Sequence, residues 1–211
     1  MGESVHLSPG TGTLNRRSGV AETIAGLQAV DGAAREALAL GVPVQVTSND
    51  ALVNIVAEKS LENALRDAGR PEGIEVNSLF VAQQDPVAYA AGVMETLGRP
   101  DLQGNMLVGE FGEEMLLMGE VGAQETSFQV VGAARPSSMS FLPLVTDDYL
   151  LGEEIFAAGA YLDPRPPRIV SLLVQDAIRM VLLLLIVLGV LLATLGVLDG
   201  TLGRLFQMPV P

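Results

Sequence analysis

The chain has 211 residues, with 12 Lys and Arg against 25 Asp and Glu and a formal net charge of -13 at pH 7. That length suits one compact domain with an appendage, and so acidic a balance argues against a nucleic-acid partner, because affinity for phosphates comes from Lys and Arg. The absence of cysteine excludes disulfides, thiolate metal sites and Cys nucleophiles, and the single histidine, His6, excludes a multi-His metal cage.

In chain order, residues 4–8 read as a first strand. Val20, Ile24, Leu27, Val30, Ala34 and Leu38 then recur at steps of three and four, which predicts an amphipathic helix ended by Gly41. A strand at 42–47 precedes a helix at 50–68 with Leu52, Ile55, Val56 and Leu65 facing inward, and 74–82 is the next strand. Asp85-Pro86 opens a third helix, since Asp accepts bonds from the first amides and Pro fits the first helical position. Strands follow at 105–108, 127–131 and 141–146, with a short helix at 113–122 and a closing helix at 147–161. This alternation predicts a doubly wound, Rossmann-like α/β domain over residues 1–162: a mostly parallel sheet of five or six strands, helices on both faces and right-handed crossovers.

Residues 180–198, MVLLLLIVLGVLLATLGVL, carry no charge. As a helix they would be about 28 Å long, close to the hydrocarbon thickness of a bilayer. Mean hydropathy over the whole chain is +0.39, and most of that excess sits in this stretch, which predicts a C-terminal transmembrane helix in contact with the lipid bilayer. Residues 163–179, with Pro164, Pro166 and Pro167, form a stiff linker and a juxtamembrane helix in which Asp176 and Arg179 pair at i, i+3; residues 199–211 form a short tail. Arg165, Arg168 and Arg179 precede the span and only Arg204 follows it, so the N-terminal domain is expected on the cytoplasmic side of the cell membrane. The N-terminus lacks the apolar run of a signal peptide, and His6 stands where myristoylation needs Ser or Thr. Gly189, Ala193 and Gly196 fall on one helical face and let two helices approach closely, although small residues are common in such helices.

In an open parallel sheet ligands bind outside the carboxyl ends of the strands. Two candidate sites lie at such ends. The first is the turn around Gly10, Thr11 and Gly12 with Arg16 and Arg17, where helix-terminal amides and positive charge attract an anion. Its spacing is neither the dinucleotide fingerprint nor a P-loop, and glycines often only shape a turn. The second is acidic. Asp50, Asp85, Glu110, Glu113, Glu114, Asp147 and Asp148 all fall near expected strand ends, and Glu110 with Asp147 would be the metal candidates for Mg²⁺ or Ca²⁺. Helix capping accounts for most of these carboxylates; Glu110, set between Gly109 and Gly112, is not at an ordinary cap and is the best candidate for a functional one. The near-repeat GEFG at 109–112 and GEVG at 119–122, and the cluster Gly152, Ala157, Ala158, Gly159 and Ala160, fit either close packing on a partner or ordinary core.

The segments SPGTGTL (8–14), DPVAYAAGVM (85–94), GEFGEEMLLMGEVGA (109–123) and LLGEEIFAAGAYL (150–162) resemble an uncharacterised bacterial family of membrane-anchored α/β proteins, a domain of unknown function. The resemblance implies a prokaryotic, membrane-anchored protein and carries over no catalytic residue. Together these readings favour a non-enzymatic module that assembles into homo-oligomers or organises partners at the membrane. The alternative is a sensor or enzyme binding a small ligand, nucleotide or divalent cation in the strand-end crevice.

Overall fold

Six parallel strands alternate with helices in the first of two units, Met1–Arg165; the computed structural model describes residues 3–15, 18–69 and 74–194. The elements are β1 (Ser4–Gly10), α1 (Val20–Ala39), β2 (Val44–Ser48), α2 (Ala51–Asp67), β3 (Val76–Phe80), α3 (Pro86–Leu97), β4 (Leu102–Glu110), α4 (Met115–Glu125), β5 (Phe128–Ala133), α5 (Pro136–Met139), α6 (Leu142–Val145), β6 (Tyr149–Leu151) and α7 (Glu154–Leu162). The sheet order is β3-β2-β1-β4-β5-β6, and every neighbouring pair is parallel. The order reverses between β1 and β4, so their carboxyl ends form the topological switch point, where folds of this kind place a ligand.

Side-chain parity along the strands sorts the core into two layers. Leu7, Val44 and Val46 meet Val30, Ala34 and Leu38 of α1 and Ala57, Leu61 and Ala64 of α2. On the same face Val108 meets Ala25 and Ala29 of α1 and Ile155 and Ala158 of α7. The opposite face packs Leu107 and Val131 against Tyr89, Val93 and Leu97 of α3, Met115 and Met118 of α4, and Leu142 of α6.

That second face also carries a buried polar belt across four strands. His6 Nδ1 lies 2.8 Å from Asn105 Oδ1 and Nε2 lies 2.8 Å from Thr47 Oγ1. Thr47 Oγ1 continues to the Tyr89 hydroxyl at 2.9 Å, and Tyr89 to Ser8 Oγ at 2.6 Å. On the other side Asn105 Nδ2 donates to Gln129 Oε1 (2.6 Å), and Gln129 Nε2 donates to the carbonyls of Gly119 (2.8 Å) and Val145 (3.1 Å). Those two carbonyls can only accept, and this orients the amides: Gln129 presents its oxygen to Asn105, Asn105 its oxygen to His6, and His6 donates from Nδ1. Burial pushes the His6 pKa down to about 4 while the Asn105 bond opposes the shift, so the imidazole is neutral at pH 7 and its Nε2 accepts from the Thr47 hydroxyl.

Several elements depart from expectation. Residues 141–146 are not a strand: Pro143 sits in the first turn of the short helix α6, and the last strand is the three-residue β6 that follows. The closing helix accordingly starts at Glu154 rather than at 147. In α2 the inward face is Val53, Ala57, Leu61 and Ala64, leaving Leu52, Ile55 and Val56 49%, 60% and 39% exposed. Small residues at 57 and 64 let that face lie close to α1, so packing and not the most apolar stripe set the rotation of the helix.

The glycine- and alanine-rich segments are filled from within the chain. A Cβ at Gly122 would run into the Gln129 and Asn105 amides, one at Gly119 would press on Val145, and one at Gly159 would meet Gln28 of α1. The GEVG motif thus makes room for the polar belt, and Gly159 lets α7 pack on α1.

The second unit contains α8 (Pro166–Thr194), a continuous helix of 29 residues. At 1.5 Å per residue it is about 43 Å long. It is apolar enough to cross a membrane, and none of its residues is buried within the chain. Pro166 and Pro167 stand in its first turn, where the missing amides cost nothing. The expected Asp176–Arg179 pair forms at 3.8 Å. Gly189 and Ala193 lie on the helix with open space around Gly189, while Gly196 lies outside the described residues.

Candidate functional site

The crevice at the switch point is built by two strand ends that close on each other. Ser8 pairs with Leu107 but Gly10 pairs with Glu110, so β4 carries one extra residue there. Gly10 (φ 102°) and Gly109 (φ 148°) make this possible: a Cβ at Gly10 would strike the Glu110 carbonyl, and one at Gly109 the Pro9 carbonyl. Gly26 of α1 lies over the same point, a Cβ there being 2.5 Å from the Val108 carbonyl. The start of α1 is thereby drawn onto the strand ends, as a phosphate-binding turn requires.

An internal carboxylate occupies that turn. A Cβ at Gly12 or at Gly19 would collide with the Glu110 side chain, which lies between these glycines at the head of α1 and is only 12% exposed. The Arg135 guanidinium, just beyond β5, donates to it. The Thr11 amide donates to the Glu110 carbonyl at 2.8 Å. One turn further, Glu114 Oε1 accepts from Thr11 Oγ1 (2.7 Å) and from the Gly112 amide (2.8 Å), locking the β1 loop to the β4 loop.

The β2 end adds two features. Asp50 caps α2 through the Leu52 and Val53 amides and also accepts from Thr13 Oγ1 at 2.9 Å. Asn49 beside it is fully buried, yet neither its amide nitrogen nor its amide oxygen has a partner among the described residues. Its carbonyl accepts from the Gln84 amide at 3.0 Å. Ala82 and Gln84, in the loop after β3, both adopt left-handed backbone (φ 47° and 55°), an uncommon pairing for residues with side chains. Next to the Glu114 loop a cleft of about 470 Å³ opens between Val87, Glu113, Glu114, Leu117, Arg135 and Ser137.

Gly10, Thr11, Gly12 and Glu110 lie together at the switch point, while Arg16 and Arg17 lie outside the described residues. Asp147 does not join them. It precedes β6, whose Tyr149 is level with Val131, whereas Glu110 stands past the opposite ends of the strands. At about 3.3 Å per residue the two carboxylates are about five residues apart along the sheet, and they cannot share an ion. The misplacement follows from reading 141–146 as a strand. Among the described residues no group of three or more His, Cys, Asp or Glu side chains is placed to hold a metal. Asp85 caps α3, as expected, through the Val87 and Ala88 amides.

Arg135 and Asn49 fall at strand ends that the sequence places at the crevice, but nothing in the sequence singles them out. No local motif marks an Arg two residues past a strand, and a buried unpaired amide is visible only in three dimensions. Asp50 was legible as a cap, but not its bond to Thr13.

No curated protein and no solved structure matches the chain. One family model does, over residues 1–202, under the description domain of unknown function (DUF6754). The match spans both the α/β unit and the described length of α8, and the chain belongs to that family.

Proposed function

We propose that the protein is a single-pass, membrane-anchored module that acts by assembly rather than turnover, with its α/β domain on the cytoplasmic side of a bacterial cell membrane. The observation that carries this reading is Glu110. The head of α1, the place where a doubly wound, Rossmann-like fold offers backbone amides to a phosphate, is filled by the chain's own carboxylate and tied down by Arg135. A nucleotide phosphate would have to displace it against charge repulsion. The exposed apolar face of α2, formed by Leu52, Ile55 and Val56, supports the same reading, since such surfaces mark contacts with other proteins. Gly189 and Ala193 offer a second place for close approach, between copies of α8.

Native mass spectrometry of the full-length protein in mild detergent tests this. The expected result is a defined homo-oligomer, reduced in stoichiometry by Ile55→Glu or by Gly189→Leu, and unchanged in thermal midpoint by ATP, GTP or NAD. A strict monomer, or a midpoint raised several degrees by one of those nucleotides, overturns it.

A second reading rests on Asn49. A buried amide with both atoms unpaired costs about 1–3 kcal/mol, a cost that a small polar ligand in the crevice would remove. A small molecule or divalent ion retained in the same mass spectra, and lost on Asn49→Leu, would establish this reading in place of the first.

A further inference from the structure

The structure assigns a lipid-chain site to the opposite end of the sheet, on the face covered by α1 and α7. Nine residues make α7 about 14 Å long, while α1 with 20 residues and β4 with nine each extend about 30 Å. The closing helix therefore covers only the carboxyl half of the strands it lies on. Ile155 and Ala158 reach the core there. Where the helix stops, a cavity of about 500 Å³ opens between Ala33 and Ala37 of α1, Met106 and Val130 of the sheet, and Tyr161 and Leu162 of α7.

Among the described residues, none on the cavity wall carries a charge. His6 and Asn105 contribute to that wall, but their side chains are engaged in the polar belt on the far face of the sheet. The ligand portion that fits is accordingly hydrocarbon. The volume lies within the usual 300–1,000 Å³ or so of a small-ligand site. A concavity of that size cannot supply the roughly 800 Å² per partner that a stable dimer buries, so a second copy of the chain is not its occupant. Phe128 and Tyr161, 58% and 83% exposed, stand among the lining residues and suit a boundary where an apolar chain meets water. Leu162 on the wall is 18 residues ahead of the uncharged stretch that begins at 180, so the chain itself tethers the cavity to a bilayer and makes membrane lipid the hydrocarbon at hand. The occupant is one acyl chain of a membrane phospholipid.

The test uses full-length protein in phosphatidylcholine nanodiscs containing a small fraction of lipid with a diazirine at the acyl-chain end. After photolysis and digestion, labelled peptides containing Met106 or Tyr161 are expected beside those from α8. Ala37→Phe fills the cavity and should cut labelling at Met106 and Tyr161 at least tenfold, leaving α8 labelling and the thermal midpoint as they were. If that variant melts early, Ala33→Leu, which adds less volume, is read in the same way. Labelling confined to α8, or cavity labelling that persists in a folded filled variant, overturns the proposal.

Discussion

Glu110 is the residue on which the two functional readings divide. Its carboxylate is nearly buried, lies between Gly12 and Gly19 at the positive end of α1, and accepts from Arg135. A carboxylate held in this way is structural, and Glu110→Gln should show it. Loss of a charge-assisted bond costs about 1.5 kcal/mol or more, which in a chain of this size lowers the melting midpoint by about 3–6 °C. An unchanged midpoint in differential scanning calorimetry would return Glu110 to the list of functional carboxylates. Gly12→Val should cost more, because its side chain meets both Thr23 Oγ1 and the Glu110 carboxylate. Much of this site was legible in the sequence, because glycines in a turn after a strand and a carboxylate between glycines are both local signals. The meeting of Gly12 with Glu110 depends on a pairing of strands almost 100 residues apart and has no local signature.

At the scale of elements, the polar belt makes the sheet sensitive to acid. His6 titrates near 4 in the folded protein, because burial disfavours its charged form, and near 6.5 once unfolded. Between those values the unfolded chain takes up a proton that the native chain refuses. Stability is therefore full above about pH 6.5 and falls as the pH drops toward 4. From pH 7 to pH 5 the loss from this one group is about 2 kcal/mol. Urea denaturation at the two pH values should show it in the native chain, and His6→Gln should remove about that much of the slope while lowering stability at pH 7. An equal slope in both proteins would mean that His6 is not the acid-sensitive group. Gly122→Ala attacks the same belt from α4, pushing a methyl against Gln129 and Asn105, and should cost about 2–4 kcal/mol by strain and broken bonds. The strands that hold this belt were legible as apolar runs, yet the belt was not: His6, Thr47, Asn105 and Gln129 are polar residues whose partners lie on neighbouring strands. The error at 141–146 has a different origin. A short run with two leucines and a valine fits a strand or a buried turn of helix equally well by periodicity, and Pro143 was the signal against the strand.

For the whole molecule, charge and anchor divide the work of reaching a membrane. Residues 1–162 hold 8 basic and 22 acidic side chains, so an anionic leaflet repels the α/β unit, and α8 has to hold it there against that repulsion. The side on which it is kept follows from the basic residues near the helix. Arg168 and Arg179 lie in its first half and Arg165 just ahead of it, against Arg204 alone beyond residue 198. Because arginine near a span is retained on the cytoplasmic side, the α/β unit should be cytoplasmic. The chain has no cysteine of its own, so a single introduced thiol reports without background. Glu58, exposed on α2, is a suitable position. In sealed cells, Glu58→Cys should stay unlabelled by a membrane-impermeant maleimide and become fully labelled once the membrane is opened with detergent, while the protein remains in the membrane fraction through a carbonate wash. Labelling in intact cells would place the domain outside and reverse the orientation. Release by carbonate would remove the anchor from the argument altogether, and with it the bilayer as the source of the lipid chain.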